Sequence, residues 1–387
     1  MFFEFATATR IVFGPGTLRK VLPELHQFGR RALLVAGSNP QLSDGLINEL
    51  NSLGLDTIHL PIQGEPSVES ALAGVLAARD GDCDFVIGLG GGSALDMGKA
   101  ISALLTNPGE LIDYLEVIGR GLPLQRPAAP CVAIPTTAGT GSEVTRNAVL
   151  ASPEHRVKVS LRSPFMLPRL AVVDPELTCT LPPAHTASTG LDALTQLIEP
   201  YVGNGSNPLT DALCREGIRK VANSLVRAFH DGMEAEARQD MALASLFGGL
   251  ALANARLGAV HGLAGPLGGM YPIPHGVACA RLLPHVIRVN LRALRQRASG
   301  SSSLQRFTEV ARLLTGKLEA DAHDTVSWVE ETCAALAIPP LRCFGLHASE
   351  FPEVVDRAQQ ASSMKGNPLP LTNEEVTEIL SLESECP

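Results

Sequence analysis

Through the first half of the chain, short apolar runs rich in β-branched residues alternate with stretches of helical periodicity. RALLVAGS (residues 31–38), DTIHLPI (56–62), DFVIGLGGG (84–92) and CVAIPTT (131–137) read as buried strands ending in small residues. Between them, NPQLSDGLINELNSLG and PSVESALAGVLAARDG space their apolar residues as amphipathic helices do. This alternation predicts a parallel sheet wrapped by helices, with ligands where strand carboxyl ends meet helix amino ends. After RLAVVDPELTCTLPP (169–183) the texture changes. From about Thr186 onward the pattern is one of long helices, such as PLTDALCREGIRKVANSLVRAF and EARQDMALASLFGGLALANA, with no strand. The expected fold is an α/β nucleotide-binding amino-terminal domain with a parallel sheet (residues 1–182) plus an all-α carboxyl-terminal domain (183–387).

Composition narrows the function classes. With 45% hydrophobic and 18% charged residues over 387 positions, the chain can bury a large core, and its length fits two ordinary domains. A formal net charge of −9 argues against nucleic acid or an anionic membrane as partner. The amino terminus MFFEFATATRIVFGPG lacks the basic start, apolar core and small-residue cleavage site of a secretory signal. No run approaches the roughly 20 apolar residues that span a bilayer. Cys83, Cys131, Cys179, Cys214, Cys279, Cys333, Cys343 and Cys386 are scattered without a CxxC pair, which fits reduced thiols and a cytoplasmic location.

GLGGGSALDMGKA (88–100) leaves a predicted strand and opens a helix. Gly90, Gly91 and Gly92 present no side chains, so a phosphate can approach backbone N–H groups at the positive end of that helix. The G-x-G-x-x-G fingerprint is absent, and a Walker A loop fails because Ala100 stands where Ser or Thr would hold magnesium. A plain turn with Ser93 and Asp96 as a capping box accounts for the same residues. A second loop, PTTAGTGSEVT (135–145), also ends a strand, with hydroxyls from Thr136, Thr137, Thr140 and Ser142 and room from Gly139 and Gly141. Two such loops leaving one sheet look like the edges of a nucleotide cleft. Asp96 would repel a diphosphate and suits a ribose hydroxyl or a nicotinamide amide better.

In the helical half, GLDALTQLIEPY (190–201) puts Asp192 and Gln196 on one helical face; a local hydrogen-bonded pair is the simpler account of that spacing. AVHGLAGPLGGMYPIPHGVACA carries His261 and His275, each followed by glycine. No HExxH or other short zinc signature is present, and an isolated histidine is more often a satisfied core or surface residue. With Asp192 added, a two-histidine, one-carboxylate set with an open position becomes possible.

FGPG (13–16), GGGSALDMGKA, PTTAGTGSEVT, SPFMLPRLAVVDPELTCTLPP, GLDALTQLIEPYV, VHGLAGPLGGMYPIPHGVACARLLPHV and NPLPLTNEEVTEIL resemble, in order and nearly end to end, the iron-containing (group III) alcohol dehydrogenases of the dehydroquinate-synthase-like superfamily. The resemblance implies that residues 1–182 bind a dinucleotide, that residues 183–387 hold metal and substrate, and that a cleft separates them. It implies diphosphate contacts from Gly90, Gly91, Gly92 and Ser93, Asp96 near the nicotinamide, and Lys158 on ribose. Thr136, Thr137 and Ser142, with Thr140 in the same loop, would surround the adenosine and phosphates. The family's metal ligands, an aspartate, a histidine four residues later and two further histidines, fall on Asp192, Gln196, His261 and His275. Gln196 therefore replaces a histidine, and Gly265 stands where many members carry a histidine thought to help proton transfer. An amide oxygen is the weaker ligand, so metal affinity should fall. The first strand ends in VAGSN; Gly37, Ser38 and Asn39 offer no carboxylate against a 2′-phosphate, which permits NADP(H) and tips the expectation toward it.

The expected activity is hydride transfer between NAD(P)(H) and a small primary alcohol or aldehyde. A divalent metal, Fe2+ or Zn2+, would polarise the substrate oxygen, with Asp192, His261 and His275 as the catalytic set. The family implies a homodimer or larger homo-oligomer. Two alternatives remain: a metal-independent reductase on the same scaffold, as the maleylacetate reductases are, and a nucleotide-binding protein without turnover.

Overall fold

The alternation of apolar runs and amphipathic helices builds a six-stranded sheet. The computed structural model describes residues 2–385; Cys386 lies outside them. In chain order the elements are β1 (Ile11–Phe13), α1 (Thr17–Val21), β2 (Arg31–Ala36), α2 (Pro40–Ser52), β3 (Asp56–Pro61), α3 (Val68–Asp80), β4 (Phe85–Gly90), α4 (Gly92–Thr106), α5 (Leu111–Tyr114), β5 (Cys131–Pro135), β6 (Asn147–Ser152), β7 (Val157–Arg162) and β8 (Leu170–Val173). The sheet order is β1-β8-β5-β4-β2-β3, every pair parallel, and β6 pairs with β7 as a separate antiparallel ribbon. Both faces of the sheet are covered, as a parallel sheet requires. Leu33, Val35 and Val86 pack with Ala71, Val75, Met97 and Ile101 on one side, while Leu34, Phe85 and Ile87 pack with Leu46 and Leu50 on the other.

The chain turns outward from β2 to β3 and then returns to β4 on the opposite side of β2, which makes the carboxyl ends of β2 and β4 a switch point. There the Gly37 N–H donates to the Leu89 carbonyl at 2.9 Å. Gly90 has φ +151°, and a Cβ on it would lie 2.8 Å from the Ala94 methyl, so only glycine fits. The capping box expected of Ser93 and Asp96 does not form: the N-cap of α4 is Gly91, with no side-chain cap. Asp96 instead accepts from Ser142 Oγ at 2.5 Å and the Val149 N–H at 2.9 Å, and pairs with Lys99 Nζ at 3.0 Å. Buried Lys99 also donates to the Ser142 carbonyl, Thr145 Oγ1 and the Asn147 carbonyl. This polar knot ties α4 to the second glycine loop.

Residues 6–137 and 141–178 form one compact unit; residues 2–5, 138–140 and 179–385 form the other. The second unit is helical: α6 (Pro183–Val202), α7 (Pro208–His230), α8 (Ala235–Asn254), α9 (Ala259–Met270), α10 (His275–Arg297), α11 (Ser302–Thr315), α12 (Ala322–Ala335), α13 (Phe351–Gln360) and α14 (Asn373–Glu385). Its core runs through Leu191, Leu194, Ile198, Ile218, Val260, Leu263 and Leu283. A reciprocal capping box of Asn207 and Thr210, with Pro208 in the first turn, starts α7. Residues 138–140 join this unit because Gly139 lies against Thr189, whose Cβ is 2.6 Å from where an alanine methyl would sit. Three of the helices, α6, α9 and α10, contain an internal proline (Pro200, Pro266 and Pro284). Proline has no N–H for the carbonyl four residues back; behind Pro284 that carbonyl, on Ala280, receives the Cys333 thiol at 3.4 Å. The seven described cysteines are free thiols, and no single helix among the described residues is long and apolar enough to cross a membrane.

Glu143, in the second glycine loop, is buried. Burial raises its carboxyl from 4.5 to about 7, against the opposing pull of its own backbone N–H and Lys99. Because the folded value lies above the unfolded one, its contribution to stability is full below about pH 4.5 and is lost as pH rises through 7. Glu143→Gln is expected to flatten the fall in melting temperature between about pH 5 and 8, as followed by calorimetry.

Candidate functional site

Helix α6 presents Asp192, Gln196 and Glu199 at spacings of four and three, one helical face. All three are buried. His261 stands in the first turn of α9, His275 is the first residue of α10, and Cys279 follows one turn later. Glycines let these helices close in: a Cβ on Gly276 would lie 2.5 Å from the Ser188 carbonyl oxygen of α6, and one on Gly248 of α8 would lie 3.3 Å from Gln196 Cβ.

The side chains converge. Asp192 Oδ1 is 3.4 Å from His261 Nε2 and 3.7 Å from His275 Nε2, and Cys279 Sγ is 3.9 and 3.6 Å from the same two nitrogens. On its far side His261 places Nδ1 2.6 Å from Glu199 Oε2, and Glu199 Oε1 accepts the Val260 N–H at 2.7 Å. Glu199 therefore fixes both the start of α9 and the imidazole. With the proton on Nδ1, the Nε2 lone pair faces the Asp192 carboxylate, an arrangement that calls for a cation or a proton between them. Burial disfavours a charged His261, but Cys279, Glu199 and Asp192 outweigh it and hold the imidazole well above its usual range. Since burial pushes the Cys279 thiol up to about 12, the two carboxylates carry that effect at neutral pH. Burial also works against the Asp192 carboxylate, yet His275, His261 and Gln196 keep it below its ordinary value.

Several features fit a divalent cation. Asp192 Oδ1 and Gln196 Oε1 are buried and accept no hydrogen bond. One donor atom each from Asp192, His261, His275 and Cys279 lies within 4.8 Å of all the others. Bonds of about 2.0–2.3 Å from zinc to N, O and S give tetrahedral edges of about 3.3–3.8 Å, close to the spacings found here. Imidazole, carboxylate and sulfur donors suit zinc or iron. A side chain at Gly265 would enter open space, so the missing family histidine leaves a gap and not a packed substitute.

In the α/β unit, the Thr136 N–H donates to the Gly90 carbonyl at 2.9 Å, and a Cβ on Gly91 would lie 3.1 Å from the Thr137 methyl. The two glycine loops therefore meet, with Gly37 beside Gly90, while Gly92 and Ser93 form the first turn of α4. Asp96 and Ser142 are bonded to each other. Ser38 is exposed, and Asn39 caps α2 by accepting from the Gln41 and Leu42 N–H groups. Lys158 is held by Glu65 at 2.5 Å. Thr140 is half-buried in the segment that belongs to the helical unit.

Residues 8–175 match the family described as iron-containing alcohol dehydrogenase, and residues 186–383 match the Fe-containing alcohol dehydrogenase family, C-terminal. The chain belongs to the iron-containing alcohol dehydrogenase family. It is 36% identical over 374 residues to alcohol dehydrogenase 4 of Saccharomyces cerevisiae (strain YJM789), with 95% of each chain covered. It is 35% identical over 391 residues to 1,3-propanediol dehydrogenase of Klebsiella pneumoniae, with 97% of each covered. A solved structure of 1,3-propanediol oxidoreductase superposes with a TM-score of 0.91 at 33% identity, over 99% of this chain and all of the other. The two-domain fold read from the sequence is the fold of these relatives. The protein is an alcohol dehydrogenase, and its family implies NAD(H) and iron or another divalent metal as cofactors.

Glu199, Cys279 and Lys99 were not among the residues singled out from the sequence. Glu199 is legible as the next position on the Asp192–Gln196 face, and Cys279 as the residue four after His275. Glu199→Gln is expected to weaken metal binding about 10- to 100-fold by chelator competition, because the orienting carboxylate is lost. Gln196→His is expected to tighten it, and an unchanged affinity would return Asp192 and Gln196 to a purely structural pair.

Proposed function

We propose that this dehydrogenase moves hydride between a bound nicotinamide and a small primary alcohol or its aldehyde, with Asp192, Gln196, His261 and His275 around a divalent cation, iron or zinc. The observation that carries this reading is the buried, unbonded Oδ1 of Asp192 facing two imidazole nitrogens. When bound, the cation supplies Lewis-acid polarisation of the substrate oxygen and the nicotinamide supplies the hydride. Glu199 keeps the proton of His261 on Nδ1, so that Nε2 points into the cage. His275, whose side chain is 35% exposed against 6% for His261 and 2% for Asp192, marks the side open to a substrate oxygen. The same reading places the cofactor phosphates at Gly90, Gly91, Gly92 and Ser93, and the rest of the cofactor along Asp96, Thr136, Thr137, Thr140, Ser142 and Lys158. The likeness to 1,3-propanediol dehydrogenase supports a small substrate.

At the end of β2, Gly37, Ser38 and Asn39 bring no carboxylate, and this supports acceptance of NADP(H) alongside NAD(H). A cytoplasmic homodimer or larger homo-oligomer completes the reading. Gln196 and Gly265 favour a second one, in which the same scaffold reduces its substrate without a metal. Aldehyde-dependent oxidation of NADH or NADPH is expected, and thorough chelation should abolish it. Turnover that survives metal removal would select the metal-independent reading. Tight cofactor binding with no aldehyde turned over would leave a nucleotide-binding protein.

A further inference from the structure

The family's set of one aspartate and three histidines is incomplete here, and a sulfur stands in the same cage. We propose that Cys279, as a thiolate, is a further protein ligand of the cation enclosed by Asp192, His261 and His275, supplying the strong donor that the weak amide oxygen of Gln196 does not. The proposal rests on the metal-dependent reading above.

Three observations converge on it. First, Cys279 Sγ closes the cage on the histidine side, 3.6 Å from His275 Nε2 and 3.9 Å from His261 Nε2, and within 4.8 Å of the Asp192 donor oxygen. Second, α10 delivers His275 and Cys279 at i and i+4, the spacing with which α6 delivers Asp192 and Gln196. The imidazole missing from one helix is thus answered by a thiol on the other. Third, Cys279 is sealed from solvent, and the Asp192 oxygen within its reach is buried without a hydrogen bond. Among the other buried thiols, Cys333 is turned to the Ala280 carbonyl, and Cys131 lies in the sheet of the α/β unit. Coordination replaces the S–H bond by a sulfur–metal bond and releases one proton to solvent, with no change in oxidation state. A thiolate beside two imidazoles and a carboxylate suits a borderline-soft cation such as zinc. Substrate oxygen would enter as a further ligand, since catalytic zinc sites expand to five-coordination.

Cobalt(II) titration of the metal-stripped, full-length protein tests this, because a cobalt–thiolate bond gives a near-ultraviolet charge-transfer band that imidazole and carboxylate do not. The wild type should bind one equivalent and show the band. Cys279→Ser should lose the band and weaken binding by more than the roughly 10- to 100-fold typical of losing an orienting group. The Cys279→Ser, Gln196→His double variant should recover affinity without the band, which a merely misfolded single variant would not allow. X-ray absorption of the zinc-loaded wild type should independently show one sulfur at about 2.3 Å. Cobalt bound without the band, or a band that persists in Cys279→Ser, overturns the thiolate ligand and leaves the metal reading standing. Failure of the wild type to bind cobalt or zinc at all overturns both.

Discussion

Asp192 is a carboxylate placed where water hardly reaches, and the centre of the helical unit is arranged around that charge. A buried anion is tolerated only when paired or coordinated. Its partners come from three helices: the imidazoles from α9 and α10, and the amide of Gln196 from its own α6. Gly276 and Gly248 let α10 and α8 come close to α6: a methyl at Gly276 would collide with the Ser188 carbonyl, and one at Gly248 would crowd Gln196. Glu199 adds a second buried carboxylate behind His261, so the imidazole stands between two acidic groups. Packing and electrostatics here are one problem: the helices approach closely because the donor atoms must, and the glycines permit it.

The α/β unit treats its buried charges differently. Lys99 and Asp96 are each engaged by several partners within that unit, leaving the knot between α4 and the second glycine loop closed on itself. Such a saturated network fixes a shape. In the cage, by contrast, an Asp192 oxygen and the Gln196 oxygen are left without hydrogen bonds. The contrast is between a cluster whose charges are answered by neighbouring side chains and backbone and one whose buried acceptor oxygens are not.

Long, strongly patterned elements were legible in the sequence. The runs at 31–38, 56–62, 84–92 and 131–137 contain β2 to β5, and the helical texture after Thr186 is an all-helical unit; β3, read as buried, is the edge strand of the sheet and none of its residues is fully buried. β1, β8 and the β6–β7 ribbon were not: strands of three and four residues have no period, NAVLAS in β6 does not alternate, and the alternation of VKVSLR in β7, a strand signal, was passed over. Asp192, His261 and His275 were named together from their residue types and assigned as ligands through family resemblance, and the structure brings them together. Periodicity alone could not do that, since the contact joins α6 to the consecutive helices α9 and α10 much further along the chain. Asp96 shows the opposite limit: its spacing from Ser93 matched a capping box, but a tertiary bond to Ser142 took the carboxylate instead.

The prolines of α6, α9 and α10 acquire meaning once the cage is in view. Asp192, His261, His275 and Cys279 all lie ahead of the proline in their own helix, so each ladder of backbone bonds loses a rung shortly after the donor side chains. A helix weakened there bends more easily at that point than an unbroken rod. A metal site is recognised by donor distances within about 0.2 Å of their standard values. In α9 and α10 the donors occupy the turns ahead of Pro266 and Pro284, and the residues behind those prolines, Leu267 in α9 and Val286, Ile287, Leu291 and Leu294 in α10, lie in the core; in α6 only Tyr201 and Val202 follow Pro200, so Asp192 and Gln196 ride on a helix whose one missing rung lies at its very end.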